Sequence, residues 1–183
     1  NITVVTDDIK IAMELSGKPN VTAIVCGGTL SDPVYTLTGN VAVDFFSRLH
    51  VNKTFLGCDA VDLDFGISNR TYGEVDIKTA MINAADEIIM VTDDSKLDRK
   101  VFCYLCDISA INKLIINQID DRNRRGFIEK GVEIITTESL PTMCSCPTTS
   151  SSVVGRSREA SGDSRSSVFD LAYSNKSIAD APF

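Results

Sequence analysis

The chain has 183 residues, 43% hydrophobic and 23% charged, with a formal net charge of -7 and a pI near 4.7. That balance suits one soluble domain with a real core and some excess length. It argues against gripping nucleic acid through overall charge, because phosphate-backbone binding needs clustered Lys and Arg. The longest apolar runs, such as Ile88 to Val91, fall far short of the ~20 residues of a membrane span, and no basic-then-apolar signal segment opens the chain, so a cytoplasmic protein without a membrane partner is expected.

Asn1 leads at once into the apolar run Ile2 to Val5, a candidate strand and a sign of a domain cut from something longer. A helix is expected over Asp7 to Ser16, with Ile9 and Met13 on one face, Thr6 or Asp7 as its start cap and Gly17 at its end. The next strand, Val21 to Cys26, runs directly into Gly27-Gly28-Thr29. Gly39 then stands ahead of a helix over Val41 to Leu49, whose Val41, Phe45, Phe46 and Leu49 share a face. A short strand, Thr54 to Leu56, ends in Gly57-Cys58-Asp59-Ala60-Val61-Asp62. The helix from Glu74 to Ala85 carries Ile77, Ala80, Met81, Ala84 and Ala85 on its packing face, and the strand Ile88 to Thr92 stops abruptly in Asp93-Asp94-Ser95-Lys96. A strand over Leu114 to Ile116, a helix over Arg122 to Lys130 closed by Gly131, and a strand over Val132 to Thr136 complete the rhythm.

Strand-like runs alternating with helical segments are the mark of an α/β domain with a largely parallel sheet and helices on both faces, here assigned to residues 1–138. From residue 139 the pattern ends. Leu140 to Ser167 is rich in Ser, Thr and Pro, and lacks the apolar surface that offsets ordering entropy, so a disordered tail is expected, with Val168 to Tyr173 as a short apolar patch.

In a parallel sheet the strands' carboxyl ends share one rim, where helix N-termini also point. Thr6-Asp7, Gly27-Gly28-Thr29, Gly57-Cys58-Asp59 and Asp93-Asp94-Ser95-Lys96 all fall there. Glycines at such an end bring backbone N–H groups close to an anion, and a lysine ammonium can anchor a phosphate. Asp59 and Asp62 can do acid/base work or accept sugar hydroxyls; the spacing does not choose. Each element also has a plainer reading: a tight turn for the glycines, a loop or helix cap for any one aspartate, a surface position for Lys96.

Other chemistries find little support. His50, the only histidine, follows an amphipathic stretch and reads as a C-terminal cap, and no Gly-x-Ser-x-Gly elbow accompanies it. No phosphate-binding P-loop or dinucleotide fingerprint is present. Cys103 and Cys106 have zinc-ligand spacing, yet Cys144 and Cys146 are too close together for the second pair, so no metal is assigned. The six cysteines (Cys26, Cys58, Cys103, Cys106, Cys144, Cys146) read instead as small apolar, reduced residues.

Val4-Val5-Thr6, the Val25 to Leu30 loop, Gly39, Phe55 to Asp62 with Gly66, the Glu74 to Ala85 helix and Asp93-Asp94-Ser95-Lys96 occur in an order that resembles the C-terminal sensor domain of DeoR-type bacterial transcriptional regulators. The resemblance spans about Ile2 to Thr137. It implies a ribose-5-phosphate isomerase-like, three-layer Rossmann-like fold, similar also to the glucosamine-6-phosphate deaminase and CoA-transferase group. It further implies a phosphorylated sugar or related metabolite as ligand, a homo-oligomer, no cofactor, and operator DNA as a partner only through an N-terminal winged helix-turn-helix. Carried onto this chain, it puts Thr6, Asp7, Gly27, Gly28, Thr29, Gly39, Asp59, Asp62, Glu74, Lys78, Asp93 and Ser95 at the effector site, with Lys96 on the phosphate or an adjacent oxygen. Two departures bear on ligand identity: Ala60 stands where the family often has Gly, and Asp94 puts a carboxylate beside the anion site. The alternative is a sugar-phosphate isomerase on the same fold, using Asp59 or Asp62 as acid/base. That enzyme's Lys-Gly-Gly-Gly loop is replaced here by Ser68-Asn69-Arg70-Thr71-Tyr72-Gly73.

Overall fold

The computed structural model describes residues 1–30 and 35–137; the expected tail from residue 139, with Cys144, Cys146 and the Val168 to Tyr173 patch, lies outside the described residues. Strands β1 (Ile2–Thr6) and β2 (Val21–Val25) pair in parallel, Ile2 opposite Val21 and Thr6 opposite Val25, with α1 (Ile9–Leu15) as the connection. The short antiparallel pair β3 (Thr29–Leu30) and β4 (Leu37–Thr38) leads into α2 (Asn40–Phe46). Then β5 (Val51–Leu56), β8 (Ala85–Thr92), β10 (Lys113–Ile116) and β11 (Glu133–Thr136) form the central parallel sheet in the order β11-β10-β8-β5. Parallel neighbours require crossovers, which α3 (Tyr72–Ala84) and α4 (Asp121–Glu129) supply. The protein is therefore an α/β fold with a mostly parallel sheet, as the alternation of segments implies.

Each strand seen in the sequence exists, several of them longer than expected. β5 begins at Val51 rather than Thr54, and β8 at Ala85 rather than Ile88, because Val51–Ala85 and Lys53–Glu87 extend the ladder beyond the apolar run. A three-stranded antiparallel sheet has no counterpart in the sequence reading: β6 (Ala60–Asp62), β7 (Gly66–Asn69) and β9 (Cys103–Cys106). Gly66 makes it feasible. Its φ is +96°, and a Cβ there would sit 2.5 Å from the Cys106 carbonyl oxygen, so no other residue fits without moving the strand.

Two apolar clusters hold the layers together. The larger one gathers Leu56 of β5, Val61, Ile67, Met90 of β8, Leu114 of β10 and Phe127 of α4, among others. The smaller joins Cys26, Ala42, Phe46, Ile77 and Ala80, with Val5 and Leu37 packed against it. Helix α3 serves both, turning Val75 and Ile82 to the larger cluster and Ile77 and Ala80 to the smaller. The register slip between Ile67 and Ser68 lets Leu105 and Cys106 of β9 both meet the larger cluster.

Two local expectations are corrected. The α1 cap is Asp8, whose carboxylate accepts from the Lys10 and Ile11 N–H groups at 2.7 and 3.1 Å; Thr6 instead accepts from the Asp8 N–H at 3.0 Å. His50 does not cap α2, which ends at Phe46; it is exposed, with Nε2 3.4 Å from Asp86 Oδ1. Cys103 and Cys106 lie on β9, with Cys103 Sγ 3.8 Å from the Arg70 carbonyl oxygen, and among the described residues no group of three or more ligand side chains could hold a metal.

Candidate functional site

The carboxyl end of β1 delivers Asp7, and the side chain escapes capping duty because Asp8 takes it. Burial raises the Asp7 carboxyl from the usual carboxylate range to about 6; the Lys78 charge opposes the rise, while Asp8 and Glu74 add to it. Two further strand ends reach the same place. Burial and the neighbouring Asp7 charge push the Cys26 thiol at the end of β2 up to about 11. Burial likewise pushes Cys58, after β5, up to about 11, against a hydrogen bond to the Thr92 hydroxyl at 3.6 Å and the charges of Lys78 and Lys96. Asp7, Cys26, Cys58, Asp59, Glu74, Lys78 and Lys96 thus form one electrostatically coupled group, contributed by β1, β2, β5, α3 and the loop after β8.

Lys78 is the hub of that group. It sits one turn beyond Glu74 in α3, with Nζ 3.8 Å from Glu74 Oε2, and its charge reaches both Asp7 and Cys58. Thr71 caps α3, accepting from the Glu74 N–H at 3.4 Å. Ahead of the cap, the buried Asn69 side chain donates to Asp59 Oδ2 at 3.3 Å and to Glu74 Oε2 at 3.1 Å, and the Arg70 N–H donates to Asp59 Oδ2 at 2.9 Å. Asn69 is a residue that sequence reasoning missed. No sequence signal marked it, because the short strand β7 that holds it was itself not legible.

The glycine turn is exposed, with Thr38 packed close against its Gly28 backbone. A Cβ on Gly28 would stand 2.7 Å from the Thr38 carbonyl oxygen, and a Cβ on Gly73 would reach Thr38 at 3.8 Å, so the β3–β4 pair links the turn to the head of the helix. Thr29 is spent on pairing with Thr38, and Gly39 precedes α2 with a φ of +99°.

After β8 the chain makes a single 3-10 turn, Asp94–Lys96. Asp93 shapes it by accepting from the Ser95 N–H at 3.0 Å and from the Ser95 hydroxyl. Asp94 is drawn toward the end of β10, where Asn117 Nδ2 and Gln118 Nε2 donate to its carboxylate at 2.7 and 2.6 Å. The carboxylate expected to trouble an anion site is therefore held by amides. Among the described residues the ion-paired lysines are Lys53, Lys78, Lys100, Lys113 and Lys130; Lys96 is half-buried and not one of them.

Asp62 is the candidate that the geometry does not bring into this group. Its carboxylate closes the β6–β7 turn, accepting from the Asp64 and Phe65 N–H groups at 3.0 and 2.7 Å, and pairs with Lys100 at 3.3 Å. Burial works against the charge, but those N–H groups and Lys100 outweigh it and hold the carboxyl below its usual range. An open groove of about 350 Å³ between α2 and α3, lined by Val43, Ser47, Thr79 and Asn83 among others, contains none of the rim residues.

The chain is thus an α/β domain with a mostly parallel sheet and a coupled group of carboxylates, thiols and lysines near the carboxyl ends of its strands. The sequence profile of the DeoR C-terminal sensor domain matches residues 1–118, and the chain belongs to that family of transcriptional regulators. It is 31% identical over 134 residues to an uncharacterised HTH-type transcriptional regulator, YulB, of Bacillus subtilis, covering 73% of this chain and 52% of that one. It is 29% identical over 136 residues to a putative aga operon transcriptional repressor of Escherichia coli, covering 74% and 51%. It is 28% identical over 112 residues to the glycerol-3-phosphate regulon repressor of Escherichia coli, covering 61% and 44%. The chain spans about half the length of the curated relatives it matches.

Proposed function

We propose that this chain is the effector-sensing, self-associating half of a DeoR-type regulator, and that the coupled rim group binds a phosphorylated sugar or related metabolite. The observation that carries the reading is the pairing of opposites at one rim. Lys96, a half-buried cation without an ion-pair partner among the described residues, shares Cys58 as a neighbour with Lys78 and Asp59. The cationic side suits a phosphate and the carboxylate side suits hydroxyls. Ser95 and Asp93 hold the loop that presents Lys96, while Thr6, Gly27, Gly28, Thr29 and Gly39 shape the opposite wall. Asp62 keeps a place in the proposal only as a support for the β6–β7 turn. The relatives' names fit this assignment, since one is a repressor of a glycerol-3-phosphate regulon. Operator contact belongs to the portion of those relatives that this chain does not match. No observation favours the isomerase alternative.

A thermal-shift screen against sugar phosphates tests the site. A ligand at a hundred times its dissociation constant stabilises the fold by about 2.7 kcal/mol. Lys96→Ala removes charge-assisted hydrogen bonds worth about 1.5–3 kcal/mol, a loss of roughly ten- to a hundredfold in affinity. Equal affinities of both proteins would remove Lys96 from the site. The same preparations should self-associate and leave operator DNA unbound, as their net charge of -7 offers phosphates no general grip; salt-sensitive DNA binding would contradict the division of labour.

A further inference from the structure

Two aromatic pairs stand exposed where the head of α3 meets the three-stranded antiparallel sheet. Tyr72, the first residue of α3, meets Phe102 with ring centroids 5.7 Å apart and planes at 78°; Phe65 meets Tyr104 at 5.7 Å and 76°. Phe102 and Tyr104 flank the buried Cys103, so both rings project to the opposite side of the chain and the two pairs lie side by side. Tyr72, Phe102 and Tyr104 are 66%, 78% and 50% exposed among the described residues. At roughly 200 Å² for an aromatic side chain, these three leave about 400 Å² of ring surface in water. Contiguous apolar patches of that size on a soluble monomer are often functional.

We propose that this aromatic row is the face through which two copies of the chain pair about a two-fold axis, a reading that rests on the self-association proposed above and adds its location. A stable interface takes about 800 Å² from each partner, of which the rings alone provide roughly half. Charge selects a second copy as the occupant. Two chains of net charge -7 repel wherever acidic faces meet. This face carries both signs: Lys100 pairs with Asp62 at 3.3 Å and stands 5.7 Å from the centre of the Phe65 ring, exposed Arg70 lies two residues before Tyr72, and exposed Asp64 lies directly before Phe65. A two-fold axis through the row sets the Tyr72 end of one copy against the Phe65 end of the other. Arg70 of each copy is thereby brought toward Asp64 of the other, and the face is complementary to itself. Tyrosine and arginine are also residues that carry much of the binding energy at protein interfaces.

Sedimentation equilibrium of the full chain over a range of concentrations tests the face. Phe102→Ser should raise the dimer dissociation constant by about thirtyfold or more, because a two-fold interface loses the ring twice. Tyr104→Ser should act in the same direction, while Ile128→Ser on α4, where the residue is 59% exposed, should leave the constant unchanged. Hydroxyl-radical footprinting of the unsubstituted protein gives a second reading that needs no variant. Tyr72 and Phe102 should be shielded above the dissociation constant and labelled below it, with Met13, 71% exposed on α1, labelled alike in both. A dimer that Phe102→Ser leaves intact, or that Ile128→Ser weakens as much, overturns this face while self-association stands. A chain that is monomeric at every concentration overturns both. Rings shielded at every dilution would mean that residues 139–183 of the same chain cover them, and this too overturns the pairing of copies.

Discussion

The central parallel sheet and the β1–β2 pair are built from similar apolar runs, yet they are buried very differently. β8 lies between β5 and β10, and its Met90 is fully buried, as is Leu114 of β10. β2 has β1 on one edge only, and Thr22, Ala23, Ile24 and Val25 are all exposed. The larger apolar cluster serves the central sheet; the smaller one reaches the pair through Cys26 and Val5. The rim group draws on both regions, taking Lys96 and Asp59 from the well-packed part and Asp7 from the thin part. A ligand held by this rim would tie the thin region to the packed one, and this is the kind of local ordering by which a sensor can report occupancy.

The contrast predicts unequal costs for the same substitution. Leu114→Ala should cost about 4–5 kcal/mol, the upper part of the range for a buried leucine, because strands on both sides prevent collapse around the cavity. Leu15→Ala, on α1 over the thin pair, should fall near the lower end, about 2–3 kcal/mol, since it is buried but belongs to neither cluster. Denaturant melts of the two variants measure the difference; equal costs would show that the β1–β2 region is as rigidly packed as the sheet.

Much of this contrast was legible in the sequence. Ile88 to Val91 marks the central strand because a strand buried on both faces needs a continuous apolar run. The three-stranded antiparallel sheet was hidden for the opposite reason. Its strands have three or four residues, two of the buried ones are Ser68 and Asn69, and the buried–exposed–buried alternation of Cys103, Tyr104 and Leu105 was masked by metal-like cysteine spacing. The rim loops were found from strand ends alone, but what each side chain does depends on its neighbours. Asp8 caps where Thr6 or Asp7 was expected to, and Asp62 turns to Lys100, choices that the sequence does not reveal.

Asp7 offers a way to sharpen the comparison through pH. Its carboxyl titrates near 6 in the folded protein and near 3.8 when unfolded, so the folded state favours the proton. Below about pH 4 both states are protonated and Asp7 imposes no penalty. As pH rises through 6 the unfolded chain ionises first, and by pH 7 the protein has lost about 3 kcal/mol, each unit of pKa being worth about 1.4 kcal/mol. Asp7→Asn should therefore be the more stable protein at pH 7, with the gain disappearing by about pH 4. Urea midpoints across that interval test this, and a gain that persists at pH 4 would point to packing instead of charge.

The smallest effect should come from removing residues 139–183. Among the described residues both apolar clusters draw on positions between Val5 and Ile134, and the last ladder of the sheet ends at Thr136 opposite Ile116. A truncation that touches neither cluster belongs with surface changes, which stay within about 0.5 kcal/mol, and for a chain of this length that is a shift of roughly 1–2 °C in melting temperature. The thin region makes this informative. Ile24 and Val25 are 40% and 43% exposed on β2, and Val168 to Tyr173 is the apolar stretch of the removed segment. Comparing melting temperatures of the full and shortened chains, each alone and with Ile24→Ser, separates two arrangements. If the segment plays no part in the fold, truncation and Ile24→Ser each change stability little and their effects add. A large loss on truncation that Ile24→Ser already causes in the full chain, and does not deepen in the shortened one, would mean that the apolar stretch covers β2 and that the thin region is thin only among the described residues.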